Sequence, residues 1–171
     1  MGWFMIRCGT WETGEEIQIT YSKQQRILYQ QKHLSCIYDQ FPRQVGINKG
    51  NFVEMVAKKY FEEQGYKVES YYYLVRNRNK RERMPGFKKI CHIFSEGKVR
   101  LLIAEADKAF RSAGKKIASG DPDLFVYNES TGDWFFVEIK ENDQVTDNQR
   151  LLFPLIQKFL CSVFVARVIG K

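Results

Sequence analysis

Between residues 120 and 149 the sequence contains two apolar runs, a polar turn between them and the start of a helix. The runs cover residues 124–127 and 134–140, and a turn of about six residues between two such runs predicts a β-hairpin. Thr146, followed three residues later by Gln149, is the pattern of a capping box and predicts that a helix starts there. The rest of the chain must therefore fold around a hairpin that leads into a helix.

A helix and a strand are predicted before this hairpin, and another strand after it. Apolar residues recur at helical spacing over residues 48–64, and Gly65 stops this helix. Residues 66–71 read as a strand that continues to residue 75, and residues 162–168 form a final apolar strand. Pro154 lies inside the helix that starts at Thr146, so we expect a kink or a delayed regular part.

The middle of the chain is interpreted as an insertion. Residues 76–89 are polar and basic and contain a proline–glycine pair, which predicts a loop. A short strand is predicted over residues 90–94 and a helix over residues 99–110. The order helix, strand, insertion, hairpin, helix, strand predicts an α/β fold with a mixed central sheet flanked by helices, and an insertion over about residues 76–119.

The N-terminal part of the sequence is the least informative. Residues 17–21 alternate between apolar and polar side chains, as a strand does. Residues 27–29 fit a second strand or a short helix equally well. We predict an N-terminal extension over residues 1–45 and one domain over residues 46–171, since a chain of 171 residues suits one domain with a modest extension.

Several protein classes are disfavoured by composition. No apolar run approaches the ~20 residues that span a bilayer, and the N-terminus lacks the pattern of a signal peptide, so we expect no membrane partner and a cytoplasmic location. The four cysteines show no C-x-x-C pair, which argues against a zinc site and for reduced thiols. Neither of the two histidines neighbours a serine suited to a nucleophile triad.

Positive charge is concentrated in the middle of the chain. The net charge is +7, yet residues 67–116 hold fourteen basic and five acidic residues, so the remainder is slightly negative. This concentration suits the binding of a polyanion, and a solvated, charged loop and helix is the alternative. The residues expected to contact nucleic acid are Arg76, Arg78, Lys80, Arg81, Arg83, Lys88, Lys89, Lys115 and Lys116.

The predicted hairpin brings Asp123, Glu138 and Lys140 together. Side chains alternate along a strand, so Glu138 and Lys140 share one face, roughly 7 Å apart, while Asp123 opens the neighbouring strand. Two carboxylates, with the backbone carbonyl of Ile139 as a third ligand, make an oxygen site suited to Mg²⁺ or Mn²⁺. Such a metal activates water and a nearby ammonium group stabilises charge on a phosphate, so the set predicts phosphodiester hydrolysis.

Each of these residues also has a purely structural interpretation. A Glu-x-Lys pair on a strand is usually a surface ion pair, and Gln149 is accounted for by the capping box. Glu54 borders the apolar stripe of the first predicted helix, where a solvated flank is the simpler reading. The functional interpretation depends on the conjunction and the order of the motifs.

Three motifs carry a resemblance to a known family: Gly120-Asp121-Pro122-Asp123, Val137-Glu138-Ile139-Lys140 and Thr146-Asp147-Asn148-Gln149. They resemble the PD-(D/E)xK nuclease superfamily, and more closely its VRR-NUC branch, over about residues 46–171. The resemblance implies a restriction-endonuclease-like core, an Mg²⁺ or Mn²⁺ cofactor, Asp123 and Glu138 as metal ligands and Lys140 as the catalytic lysine. It also implies that Glu54 is a catalytic acidic residue and a further ligand, and that Gln149 contacts the metal shell or the substrate.

Two features depart from the family pattern. Glycine commonly follows the catalytic lysine in this family, but Glu141 stands there and adds negative charge near the metal. The basic stretch of about residues 76–119 is longer than a minimal domain needs. It either grips nucleic acid or blocks the dimerisation expected of small relatives, so a homodimer is left open.

These observations predict an Mg²⁺-dependent endonuclease that cuts DNA, in particular branched, flapped or junction DNA, as in DNA repair. A nucleic-acid-binding module with a degenerate nuclease fold is the alternative from a different class. An RNA nuclease or a restriction-type nuclease is a third reading, because phosphate contacts carry no sequence information.

Overall fold

A computed structural model describes residues 16–30, 49–76, 78–117 and 119–171. In this part of the chain, five strands form one mixed sheet with the order β1-β5-β4-β3-β2. The strands are β1 (Glu16–Tyr21), β2 (Lys67–Glu69), β3 (Leu124–Asn128), β4 (Asp133–Lys140) and β5 (Val163–Gly170). The α/β prediction is therefore confirmed, and the mixed sheet flanked by helices is consistent with a restriction-endonuclease-like fold.

Helices cover both faces of this sheet. They are α1 (Lys23–Gln30), α2 (Lys49–Glu63), α3 (Arg78–Arg81), α4 (Pro85–Phe94), α5 (Glu96–Ser112) and α6 (Asp147–Phe159). Within the described ranges, none of them is long and apolar enough to cross a bilayer.

The hairpin predicted from residues 120–149 forms as expected. Strands β3 and β4 pair antiparallel, with Leu124 opposite Val137, and Thr146 and Gln149 form both halves of the capping box at the start of α6. Helix α6 runs from Asp147 through Pro154, so the proline does not delay the regular part of the helix, while the expected kink stays a prediction. Because β3 and β4 run antiparallel, the start of β3 and the end of β4 lie at the same end of the sheet. Strand β5 then returns parallel to β4.

Each face of the sheet has its own hydrophobic core. Leu124, Val126 and Val137 face α2, whose Phe52 and Phe61 are fully buried against them. The opposite face packs against α4, α5 and α6. Its buried residues are Phe125 and Phe136 on the sheet and Ile90, Phe94, Leu102, Phe110, Leu152 and Ile156 on the helices. Because helices cover both faces of the sheet, the polar side chains of Glu138 and Lys140 at the end of β4 are buried as well.

The loop predicted over residues 76–89 and the strand predicted over residues 90–94 are both wrong. The structure has the short helix α3 and then α4, which starts with Pro85 in its first turn. Phe87, Ile90 and Phe94 recur at helical spacing and are buried, which a strand could not achieve with all three on one face. Gly86 is also buried: a Cβ there would lie 2.9 Å from the carbonyl oxygen of Tyr71.

The strand predicted over residues 66–75 is shorter than expected. Strand β2 ends at Glu69, and the following segment of residues 72–76 is irregular although largely buried. The backbone N–H groups of Leu74 and Val75 donate to the carboxylate of Asp121 instead of to a neighbouring strand. A buried carboxylate therefore replaces the strand partner that alternation alone would have predicted.

The predicted strand over residues 17–21 is confirmed as part of β1, and residues 27–29 fall in α1, which settles the helix alternative. Strand β1 pairs parallel with β5 and thus belongs to the same sheet as the hairpin. Residues 1–15 and 31–48 lie outside the described ranges, as do His33, Cys8 and Cys36. The division at residue 46 stays a prediction.

Candidate active site

Asp123 and Glu138 lie close together at the end of the sheet where β3 begins and β4 ends. Asp123 directly precedes β3, and its Oδ2 atom accepts a hydrogen bond of 2.8 Å from the backbone N–H of Ile139. Glu138 lies one residue before Ile139 on β4. Because the antiparallel register pairs Leu124 with Val137, the hairpin itself fixes the approach of the two carboxylates.

Lys140 is buried between two carboxylates. Its Nζ atom lies 2.9 Å from Glu138 Oε1 and 3.0 Å from Asp143 Oδ2, and its side chain is only 4% exposed. Burial acts to lower the pKa of Lys140, but the hydrogen bonds to Glu138 and Asp143 outweigh this effect and raise the pKa. The side chain is therefore held as an ammonium group at the end of β4.

Glu138 has one oxygen that the fold does not satisfy. Its side chain is 5% exposed, and Oε2 forms no hydrogen bond with any described residue. Burial and the charge of Asp123 raise the pKa of Glu138, against the opposing effect of Lys140. A buried carboxylate oxygen without a partner is costly, so this atom marks a place where a cation would be stabilising.

Glu54 contributes a third carboxyl group from the opposite face of the sheet. It lies on α2, is half-buried, and has a pKa raised to about 7 by burial and by the charge of Asp123. The pKa of Asp123 is itself raised to about 6, chiefly by burial. Carboxyl groups whose ionisation is opposed by burial and by each other are poised to gain from a divalent ion.

Gln149 serves the helix and also lies beside the site. Its Oε1 atom accepts a 2.9 Å hydrogen bond from the backbone N–H of Thr146, which completes the capping box. The side chain is buried, and it lowers the pKa of Glu138. The structural interpretation of Gln149 is thus confirmed, while a catalytic role stays a prediction.

Asp121 belongs to the motif of residues 120–123 but has no predicted role, and the structure gives it one. Its buried carboxylate accepts the N–H groups of Leu74 and Val75, and it lies 3.3 Å from Nε of Arg76. Tyr72 adds a 2.6 Å hydrogen bond to the carbonyl oxygen of Pro122. Together these contacts fasten the segment of residues 72–76 to the segment that carries Asp123. In the sequence, this role of Asp121 is indicated only by its position two residues before Asp123.

The donor set suits magnesium better than a metal that needs a full protein cage. Across the described residues, no group of three histidine, cysteine, aspartate or glutamate side chains is arranged to hold an ion by itself. Mg²⁺ is usually bound by one or two carboxylates and keeps waters and substrate phosphates as its other ligands. Asp123 and Glu138, whose Oε2 has no partner, are a pair of carboxylates of that kind, while the Ile139 carbonyl and Glu54 stay predicted as further ligands.

The predicted nucleic-acid contacts differ in how accessible they are. Lys80, Arg83, Lys88 and Lys116 are exposed, and Arg76 is 39% exposed. Lys89 pairs with Glu129, and Lys115 pairs with Asp147. The side chain of Arg78 lies outside the described side chains.

Arg81 is buried, unlike the other members of that set whose side chains are described. It is 4% exposed, its Nη1 atom donates a 2.9 Å hydrogen bond to the carbonyl oxygen of Val75, and its guanidinium lies over the ring of Phe87. A phosphate could not reach it without rearrangement, so the prediction that Arg81 contacts nucleic acid is corrected. Its role is to hold α3 against the segment of residues 72–76.

Comparison with known proteins identifies the family of the domain that carries these residues. A family model of the VRR-NUC domain matches residues 69–170, which include the hairpin, α6 and β5. No curated protein matches the sequence. Because the family match covers more than half of the 171 residues, the chain belongs to the VRR-NUC family, a PD-(D/E)xK-like family of nuclease domains.

Proposed function

We propose that this protein is a metal-dependent endonuclease that hydrolyses DNA phosphodiester bonds. The observation that carries the proposal is the unpartnered, buried Oε2 of Glu138, next to Asp123 and to an ammonium group at 2.9 Å. A structural ion pair would leave no oxygen unsatisfied, whereas a metal ligand requires an available one. Family membership supports a nuclease, and this geometry supports the metal requirement.

Asp123, Glu138 and the Ile139 carbonyl would hold Mg²⁺ or Mn²⁺, with Glu54 as a further ligand. Such an ion lowers the pKa of a bound water and neutralises charge on the scissile phosphate. The Ile139 N–H holds the Asp123 carboxylate in place through its 2.8 Å hydrogen bond. Lys140, held as an ammonium group, orients the attacking water and stabilises negative charge that develops on the phosphate.

The basic residues supply the contact with the DNA backbone. We propose that Arg76 contacts the phosphate that is cleaved, because it lies 3.3 Å from Asp121 and its charge lowers the pKa of Asp123. Its guanidinium also lies over the ring of Tyr73, 4.8 Å from the centroid, which orients it while part of it stays exposed. Lys80, Arg83, Lys88 and Lys116 extend the positive surface.

A preference for branched, flapped or junction DNA completes the proposal. A cytoplasmic location and a role in DNA repair belong to it as well. The accessible basic residues of the 76–119 stretch are proposed to bind phosphates. Phosphate contacts carry no sequence information, so the proposal takes the shape of the DNA as the determinant.

The test compares metal-dependent cleavage by the wild-type protein with two conservative variants. Asp123→Asn keeps an oxygen that can accept the Ile139 N–H, and Lys140→Met keeps most of the side-chain volume. Both should abolish cleavage of a panel of duplex, flap, splayed and four-way-junction DNA in Mg²⁺ or Mn²⁺. Lys98→Met is the matched control, since Lys98 is exposed and lies outside the proposed contacts.

Circular dichroism establishes that each variant is folded before it is assayed. Cleavage that persists in both site variants, or that proceeds in excess EDTA, would refute the proposal. Salt-dependent DNA binding without cleavage of any substrate would favour the degenerate module instead. Cleavage confined to an RNA version of the panel would replace DNA as the substrate.

A further inference from the structure

We propose that Arg26 and Glu16 are positioning residues for Lys140. Both precede residue 69, where the family match begins. They act through residues 141–143 (the 141–143 loop), which directly follow Lys140 and form the first part of the connection from β4 to α6. The inference rests on the proposed function, because it assigns these two residues to the arrangement of the catalytic lysine.

The first contact joins α1 to Glu141. Nη1 of Arg26 lies 2.5 Å from Glu141 Oε1, and Nη2 lies 3.4 Å from Oε2. The hydroxyl of Tyr21, at the end of β1, donates to Glu141 Oε1 at 3.0 Å and accepts from Arg26 at 2.6 Å. Glu141 therefore pairs with the N-terminal segment, so its charge is neutralised there and is not added to the Asp123–Glu138 pair.

The second contact joins β1 to the same loop through β5. Arg167 on β5 donates from Nη1 to the carbonyl oxygens of Glu141 and Asp143, at 3.4 Å and 2.8 Å. Its Nε and Nη2 atoms bind the carboxylate of Glu16 on β1, at 2.8 Å and 2.6 Å. Glu16 therefore fixes the guanidinium that holds the loop backbone.

These contacts end at the catalytic lysine. Asp143, whose carbonyl is held by Arg167, binds Nζ of Lys140 with its side chain at 3.0 Å. The position of the ammonium group is thus fixed by Glu138 on one side and by the 141–143 loop on the other. Two arginines hold this loop. Arg26 binds the side chain of Glu141, and Arg167, which is fixed by Glu16, binds the loop carbonyls.

Small displacements of a catalytic group are expensive, since an error of about 1 Å can reduce a rate by about 100-fold. Removing the Arg26 guanidinium leaves Glu141 without its strongest partner and releases one end of the loop. We expect Arg26→Gln to reduce kcat by about tenfold or more and to leave KM nearly unchanged, because Arg26 holds the loop and is not proposed to contact substrate. Arg26→Lys should recover part of the loss because it restores the charge but not the forked contact.

The test combines kinetics of the full chain with hydrogen exchange in the metal-free protein. In Arg26→Gln and Glu16→Gln, amides of the 141–143 loop should exchange faster than in the wild type, while amides of α5 should not change. Arg100→Gln is the matched control, because it removes an arginine from the exposed Arg100–Glu96 pair on α5. This control should alter neither the loop exchange nor kcat.

The exchange experiment needs no activity, so it separates the two proposals. A wild-type protein that does not cleave nucleic acid would refute the proposed function. Unchanged exchange in the 141–143 loop, or a change in KM alone, would overturn the positioning role of Arg26 and Glu16. Loss of kcat with faster loop exchange, partly rescued by Arg26→Lys, would establish it.

Discussion

Replacing Glu54 by glutamine should remove a pH-dependent penalty on the stability of the metal-free protein. The pKa of Glu54 is raised from 4.5 to about 7 in the fold by burial and by the charge of Asp123. At pH 6, Glu54 is therefore mostly protonated in the folded state and mostly ionised in the unfolded chain. By linkage, the contribution of Glu54 to stability is highest below pH 4.5 and falls as the pH rises to about 7.

The size of the effect follows from that difference in pKa. At about 1.4 kcal/mol per pKa unit, the change from 4.5 to about 7 corresponds to about 3 kcal/mol. Glu54 is half-buried, so residual contact with water reduces this to about 2–3 kcal/mol. That is a large part of the 5–15 kcal/mol by which typical domains are stable, so about this much should be visible in denaturation.

Urea denaturation in EDTA at pH 5 and at pH 8 measures this directly. Compared with the wild type, Glu54→Gln should be more stable at pH 8 by about 2–3 kcal/mol and at pH 5 by less than about 1 kcal/mol, because pH 5 is only slightly above the unfolded pKa. Glu63→Gln, an exposed glutamate at the end of the same helix, is the control and should match the wild type at both values. If the difference between Glu54→Gln and the wild type is the same at pH 5 and pH 8, the burial and charge reasoning is wrong.

Further predictions concern the cation site, the substrate contact and the packing around them. Adding Mg²⁺ should raise the midpoint of thermal unfolding of the wild type at pH 8 but not of Asp123→Asn, as followed by calorimetry; equal shifts would place the ion elsewhere. Arg76→Gln should weaken DNA binding in Ca²⁺ and lower the slope of log affinity against log salt by about one contact, and an unchanged slope would remove Arg76 from the interface. Gln149→Glu keeps the oxygen that caps α6 but brings a negative charge beside Glu138, so it should keep the helix content seen by circular dichroism and cleave poorly; full activity would limit Gln149 to its capping role. Gly86→Ala should destabilise the fold by about 1–3 kcal/mol in urea, since its Cβ would clash with the backbone before α4, and a neutral result would mean that this contact relaxes freely.

The hairpin and its chemistry could be predicted because the signals are local. Period-two alternation set which side of β4 carries Glu138 and Lys140, and the capping box marked the start of α6 within one residue. Asp123 followed from its place at the start of the neighbouring strand. Each of these inferences needs only a few consecutive residues, so no knowledge of distant packing was required.

The middle of the chain could not be predicted because its structure depends on distant partners. Residues 90–94 form a short apolar run that is compatible with a strand or with a helix, and the choice is made by packing of Ile90 and Phe94 on the sheet. The early end of β2 depends on Asp121, about 50 residues later, which takes the backbone N–H groups of Leu74 and Val75. The burial of Arg81 likewise depends on the carbonyl of Val75 and the ring of Phe87, neither of which is visible in a count of charges.

The position of β5 between β1 and β4 has a consequence for folding of the nascent chain on the ribosome. Glu16 pairs with Val165, so β1 must wait for a partner that is synthesised about 150 residues later. The hairpin of β3 and β4 can form early from local contacts, but its inner edge stays open, with the apolar residues of β4 unpaired, until β5 arrives. Docking of β1 and α1, with the arginine that neutralises Glu141, comes only after that step. Synthesis therefore delays completion of the candidate site until β5 and β1 have joined the sheet, and until then the unpaired edge of β4 is prone to aggregation.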